Sequence, residues 1–103
     1  MNKENKNTGE WEVFTYTRAQ AIADGILVPV GFIGSQSVVI TANLFKEGYE
    51  DEQKRKDLVN RGLELLRQPD PEDTEDMKLR AIEKNIWVIW NEEGFTYMKS
   101  EDY

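Results

Sequence analysis

The sequence has neither cysteine nor histidine among its 103 residues. Without cysteine the chain has no disulfide, no thiolate nucleophile and no zinc site built on sulfur. Without histidine it lacks the commonest general base and the commonest transition-metal ligand. These absences exclude Ser–His, Cys–His and His–metal chemistry built from this chain alone. We therefore expect no cofactor and no enzymatic activity.

The sequence also lacks a long hydrophobic run. Its longest apolar stretch, residues 25–34, is interrupted by Pro29 and Gly31 and is far shorter than the ~20 residues that span a bilayer. Residues 1–10 are rich in asparagine and lysine and contain no apolar run, unlike a signal peptide. The sequence therefore predicts a cytoplasmic protein with no membrane contact.

Positive charge is in the minority, with 13 basic residues against 20 acidic ones and a formal net charge of -7. A net negative charge repels phosphate backbones and anionic membrane surfaces over long distances. Nucleic acid is therefore an unlikely partner, whereas a basic protein surface is compatible with this charge.

The clearest local signals belong to two helices. Thr17 and Gln20 have the spacing of a capping box, which predicts a short helix over 18–24. A longer helix is predicted over 51–68 from its apolar stripe at three- and four-residue spacing. Gly62 lies within that stripe, where glycine lowers helix propensity by ~1 kcal/mol. We interpret it as a point of close approach between helix and sheet.

Two strands are predicted before the long helix, over 26–30 and 37–41, with a loop over 31–35. Pro29 has no N–H for a ladder hydrogen bond, which indicates a sheet edge or a strand end. Thr41 has the character of a helix N-cap, and we expect a helical turn over 42–47 that Gly48 ends.

A β-meander is predicted at the carboxyl end, with strands over 78–83, 86–90 and 95–98. Residues 91–94, Asn-Glu-Glu-Gly, suit a hairpin loop. The pattern of residues 77–83 fits a helical turn as well as a strand.

Together these signals predict an α+β fold, a small mostly antiparallel sheet with one long helix and one short helix. The length corresponds to a single domain. We expect a disordered tail over 1–10 and one domain over 11–103, with Trp11 near the start of the fold.

An acidic loop follows the long helix, between Asp70 and Asp76. Its carboxylates could bind a hard cation such as calcium or magnesium, but the glycine required at the sixth position of an EF-hand loop is absent. A solvated loop is the favoured interpretation, and cation binding stays open.

The segment Ile-Trp-Val-Ile-Trp at 86–90 is apolar on both faces of its predicted strand. Alternation puts Ile86, Val88 and Trp90 on one face and Trp87 and Ile89 on the other. A strand of this kind is covered on both sides.

The long helix can cover one side of this strand. The other must be covered by the short helix, by loops or by another molecule. We therefore take Trp87, Trp90 and Tyr97 as candidate contact residues for a protein partner or for a second copy of the chain.

Residues 14–28 read FTYTRAQAIADGILV. This stretch resembles the opening of small proteins in a bacterial domain family of unknown function, which often occur on plasmids and phage-like elements. Those proteins also have a later apolar run ending in threonine, as residues 38–41 do here. The similarity departs at Pro29, where such sequences more often have aspartate. The resemblance implies an accessory protein of a mobile element and supplies no catalytic residue.

Three functions fit these observations. The leading hypothesis is a non-enzymatic protein-interaction module, with self-association through its aromatic sheet face as one form of it. The second is an acidic mimic of nucleic acid that inhibits a DNA-binding protein. The third is a metal-dependent hydrolase that uses carboxylates alone.

Overall fold

A five-stranded sheet with helices on its surface makes up residues 17–103, the part of the chain that the computed structural model describes. The predicted tail over 1–10 and the predicted start of the fold at Trp11 lie outside the described residues. In chain order the elements are α1 (Arg18–Ala23), β1 (Leu27–Ile33), β2 (Gln36–Thr41), α2 (Ala42–Leu44), a π-helical turn (Phe45–Tyr49), α3 (Glu52–Leu66), β3 (Met77–Glu83), β4 (Ile86–Asn91), β5 (Gly94–Lys99) and a 3-10 turn (Ser100–Asp102). The predicted α+β class is confirmed.

The strands lie in the order β1-β2-β5-β4-β3. β1 and β2 form an antiparallel hairpin, and β3, β4 and β5 form the predicted antiparallel meander. The hairpin and the meander meet where β2 pairs in parallel with β5. This arrangement leaves β1 and β3 as the two edge strands.

The helix α1 forms where the capping box predicts it. The Thr17 hydroxyl accepts from the backbone N–H of Gln20, and the Gln20 side chain accepts from the backbone N–H of Thr17. The helix ends at Ala23 with Asp24 as its C-cap. Gly25 follows with φ 77°, a left-handed conformation that suits glycine.

The strand β1 is longer than predicted, and the expected loop over 31–35 is wrong for its first three residues. β1 continues to Ile33 because a β-bulge between Pro29 and Gly31 lets the ladder pass the proline. The edge position predicted from Pro29 is confirmed. The segment whose pattern fitted both a strand and a helical turn, Met77–Glu83, is a strand.

The helix α3 begins after Asp51, whose carboxylate accepts from the backbone N–H of Lys54. It ends at Leu66, so the predicted helix over 51–68 is slightly too long. The helical turn predicted over 42–47, with Thr41 as N-cap and Gly48 as its end, is also found in part. The Thr41 hydroxyl accepts from the backbone N–H of Leu44, and Gly48, at φ 114°, lies within the wide turn that follows.

The main core lies between α3 and one face of the sheet. Its most completely buried side chains are Ile40, Leu44, Leu58, Val88 and Tyr97.

The closest approach in this core is between Gly62 of α3 and Tyr97 of β5. The Tyr97 hydroxyl donates to the carbonyl of Val59 over 2.8 Å. A Cβ atom on residue 62 would lie 2.6 Å from the Tyr97 ring. The interpretation of Gly62 as a point of close packing is confirmed.

The substitution Gly62→Ala tests this contact. Overpacking a filled core costs about 1–3 kcal/mol, while alanine returns up to about 1 kcal/mol of helix propensity. We expect a net decrease in the free energy of unfolding, measured by urea denaturation. Asn60→Ala is the control, because Asn60 is exposed on the same helix and gains propensity without a clash. A Gly62→Ala protein as stable as the Asn60→Ala protein would show that the contact does not constrain the packing.

Candidate functional site

Tyr97 presents no contact surface, because the residue is 0% exposed beneath α3. Burial also raises the pKa of its phenol, which stays neutral. The prediction of Tyr97 as a contact residue is therefore wrong. The sequence showed an aromatic residue in a strand, but only the helix crossing at Gly62 determines that this ring is enclosed.

The two tryptophans lie on opposite faces of β4, as the alternation predicts. Trp90 is half-buried on the α3 face, where its indole N–H donates to the Gln36 side chain over 2.9 Å. Trp87 is half-buried on the other face, with its ring 5.5 Å from that of Tyr103. Trp87, Trp90 and Tyr97 therefore do not form one surface.

On the Trp87 face, Arg18 of α1 lies across the start of the β2–β5 pair. Its guanidinium donates to the hydroxyls of Ser37 and Thr96 over 2.9 and 2.8 Å, and to the carbonyls of Ser37 and Phe95. Burial among these neutral acceptors lowers the pKa of Arg18, although Glu93 opposes this effect. A cavity of about 520 Å³ lies beside it. We interpret Arg18 as a structural tie between α1 and the two strands.

A different surface, the edge of β1, has the strongest features of a binding site. Of the three large apolar side chains that are exposed within residues 17–103, two flank or belong to this strand. Ile26 is 51% exposed and Phe32 is 73% exposed. None of the residues of β1 is fully buried, and none carries a charge. We call β1 together with Ile26 the β1 edge.

A groove of about 310 Å³ runs beside this edge, between the end of β1 and the first half of α3. Val30, Ile33 and Val59 line it with apolar surface. Three charged residues also line it, Glu52, Arg55 and Lys56, and Glu52 pairs with Lys56 over 3.6 Å. The groove is therefore partly apolar and carries both signs of charge at its rim.

The opposite edge strand, β3, differs in chemistry. It carries Lys78, Arg80 and Glu83, and Glu83 pairs with Arg61 of α3 over 2.9 Å. Charged side chains on an edge strand discourage pairing with another strand. The β1 edge has no charged side chain, and only Pro29 and the bulge beside it limit pairing there.

The sequence contains a signal for the β1 edge that residue motifs do not reveal. Residues 25–45 contain no charged side chain, although 32% of the chain is charged. Internal strands account for part of this run, since β2 lies inside the sheet. Burial inside the sheet does not explain the absence of charge in β1, because no strand among residues 17–103 pairs with its outer side.

The acidic loop is anchored at one carboxylate. Asp73 accepts two bonds of 2.7 Å from the guanidinium of Arg80, which also donates to the carbonyls of Leu65 and Gln68. Hydrogen bonds from Arg80 hold the pKa of Asp73 below its ordinary value. Among residues 17–103 no group of three acidic side chains has the arrangement of a metal site.

The comparisons with known proteins add no identity. No family model matches the chain, and no curated protein or solved structure matches it significantly. In the part of the chain that the structure describes, every helix is too short or too polar to cross a membrane.

The bond between Asp73 and Arg80 predicts a pH dependence of stability. A carboxylate whose pKa is lower in the folded state stabilises the fold above its unfolded pKa of about 3.9. That contribution is lost as the pH falls through the folded pKa. We therefore expect Asp73→Asn to lower the free energy of unfolding near neutral pH, and the difference from the parent protein to narrow below about pH 4.

Urea denaturation over a pH series measures this difference. Glu75→Gln is the control, because Glu75 is exposed in the same loop. A gap between parent and Asp73→Asn that stays constant from neutral to acidic pH would contradict the assignment of this ion pair.

Proposed function

We propose that this protein is a non-enzymatic protein-binding domain that takes an extended segment along the β1 edge. The observation that carries the proposal is an uncharged edge strand with Phe32 73% exposed beside a partly apolar groove. An edge strand offers unpaired N–H and C=O groups to an incoming strand. Main-chain hydrogen bonds then supply affinity, and side-chain pockets supply specificity.

Two parts of the edge have separate roles in this proposal. The backbone of β1 provides hydrogen-bonding groups that any extended segment can use. Phe32 provides apolar area whose full burial is worth about 1.5–3 kcal/mol. Phenylalanine is among the aromatic residues enriched at interfaces.

The non-enzymatic part of the proposal depends on the missing histidine and cysteine. A cytoplasmic location and an origin on a mobile element stay predictions from the sequence. A hydrolase built on carboxylates gains no support from the arrangement of acidic residues within 17–103.

Selection of binders from a random peptide library, with the protein immobilised, tests the proposed function. We expect the selected peptides to bind the Phe32→Lys variant at least about tenfold more weakly, since about 1.4 kcal/mol corresponds to tenfold. Tyr103→Lys is the matched control, because it places the same charge at another exposed aromatic residue.

Amide hydrogen exchange locates the site of the selected peptides. We expect added protection at β1 and none at β3. Failure to select any peptide, or peptides that protect β3 and bind the Phe32→Lys variant normally, would refute binding at the β1 edge.

A second candidate function, the acidic mimic of nucleic acid, is favoured by one observation. The end of the acidic loop meets the β4–β5 turn, so that Asp76, Glu92 and Glu93 line one surface depression. Negative charge from two distant parts of the sequence is thereby concentrated at one end of the sheet.

A displacement assay tests this second function. Labelled duplex DNA is bound to a panel of basic DNA-binding proteins, and its fluorescence anisotropy is followed as the acidic protein is added. The mimic predicts displacement that weakens with salt and is reduced by combining Asp76→Asn, Glu92→Gln and Glu93→Gln. Equal displacement by this combined variant, or none by the parent protein, would exclude the mimic.

A further inference from the structure

We infer that the segment bound at the β1 edge belongs to a second copy of this chain, whose own β1 pairs antiparallel with the first. The inference rests on the proposed function and names its partner. Two β1 strands related by a two-fold axis would join two five-stranded sheets into one continuous sheet. Such an interface is isologous, because the same surface serves both copies.

The distribution of charge favours binding of a second copy at the β1 edge over most other surfaces of the protein. Each copy carries a net charge of -7, so most pairs of surfaces would repel one another. Residues 25–45 contain no charged side chain, and β1 lies within them. The acidic loop leads into β3, at the far edge of the sheet. Pairing through β1 therefore joins the uncharged edges and keeps the acidic loops apart.

The rim of the groove is compatible with the same symmetry. Glu52 and Lys56 lie one helical turn apart at the start of α3. A two-fold axis reverses their order in the second copy. Together with Arg55 they give the rim both signs of charge, whereas a rim of one sign would oppose self-association.

The geometry of β1 also selects a register. Pro29 lacks an N–H, and the bulge between Pro29 and Gly31 divides the strand into two regular pieces, 27–29 and 31–33. Only the second piece is free of proline, and Phe32 lies at its centre. The two-fold axis therefore passes close to Phe32, which faces Phe32 of the second copy. Directly opposed aromatic residues on an antiparallel pair attract each other.

Sedimentation equilibrium over a concentration series measures the association. We expect the parent protein and the Tyr103→Lys variant to dimerise, and the Phe32→Lys variant to be at least about tenfold weaker in dimerisation because two like charges would meet at the axis. Circular dichroism should show the same fold in all three proteins, since Phe32 and Tyr103 are both exposed.

Two outcomes of this measurement overturn the inference. One is a parent protein that stays monomeric up to about 1 mM, well above the concentrations at which weak interfaces form. The other is a dimer that Phe32→Lys leaves unchanged. If the parent protein is monomeric but peptides still bind through Phe32, self-association fails while the proposed function stands.

Cross-linking tests the register directly, because the chain has no cysteine of its own. Directly opposed residues on antiparallel strands have Cα atoms about 4.5–5.5 Å apart, within the range that a disulfide bridges. We expect Phe32→Cys to form a covalent dimer under mild oxidation and Tyr103→Cys to stay monomeric. Equal cross-linking of the two variants, or none with Phe32→Cys, would contradict this pairing.

Discussion

The parallel pairing of β2 with β5 joins the two parts of the sheet, the hairpin and the meander. Within each part, every strand pairs with its neighbour in the sequence. The hairpin β1–β2 and the meander β3–β4–β5 each fold locally, and β2–β5 is the ladder that joins them. At its start the backbones approach so closely that a Cβ on Gly94 would collide with the carbonyl of Ser37. Arg18 binds both strands there, through Ser37 and Thr96. The junction thus depends on one residue with no side chain and one with a long, many-donor side chain.

The positions of the edges follow from this junction. Because β2 and β5 become internal, β1 and β3 must lie at the two ends of the sheet. β3 carries the charged residues Lys78, Arg80 and Glu83. Arg80 also hydrogen-bonds to the end of α3 and to the acidic loop. β1 has no charged side chain that could make such contacts. The topology therefore exposes the least charged part of the sequence, and this supports the binding site proposed at β1.

Local signals in the sequence were sufficient to predict most helices and strands, but they did not predict the candidate site. The capping box at Thr17, the proline at the sheet edge and the apolar stripe of α3 each act within a few residues, so they could be predicted. The parallel junction could not, since it pairs residues from distant parts of the chain. The same limitation explains the error at Tyr97, whose enclosure depends on the path of α3. Phe32 was missed because the expected loop began one residue before it.

The strongest physical reason to place the exposed Phe32 at the two-fold axis of the proposed dimer is that such a dimer leaves no uncharged sheet edge open. An open edge strand can in principle propagate into an indefinite sheet. In this fold the bulge and Pro29 limit pairing at β1 to a short regular segment. In the proposed dimer, the free edges that remain after two β1 strands pair are the two charged β3 strands. Assembly through β1 would therefore end at two copies. Phe32, whose ring is largely exposed in one copy, would contribute its apolar area at the interface where growth of the sheet stops.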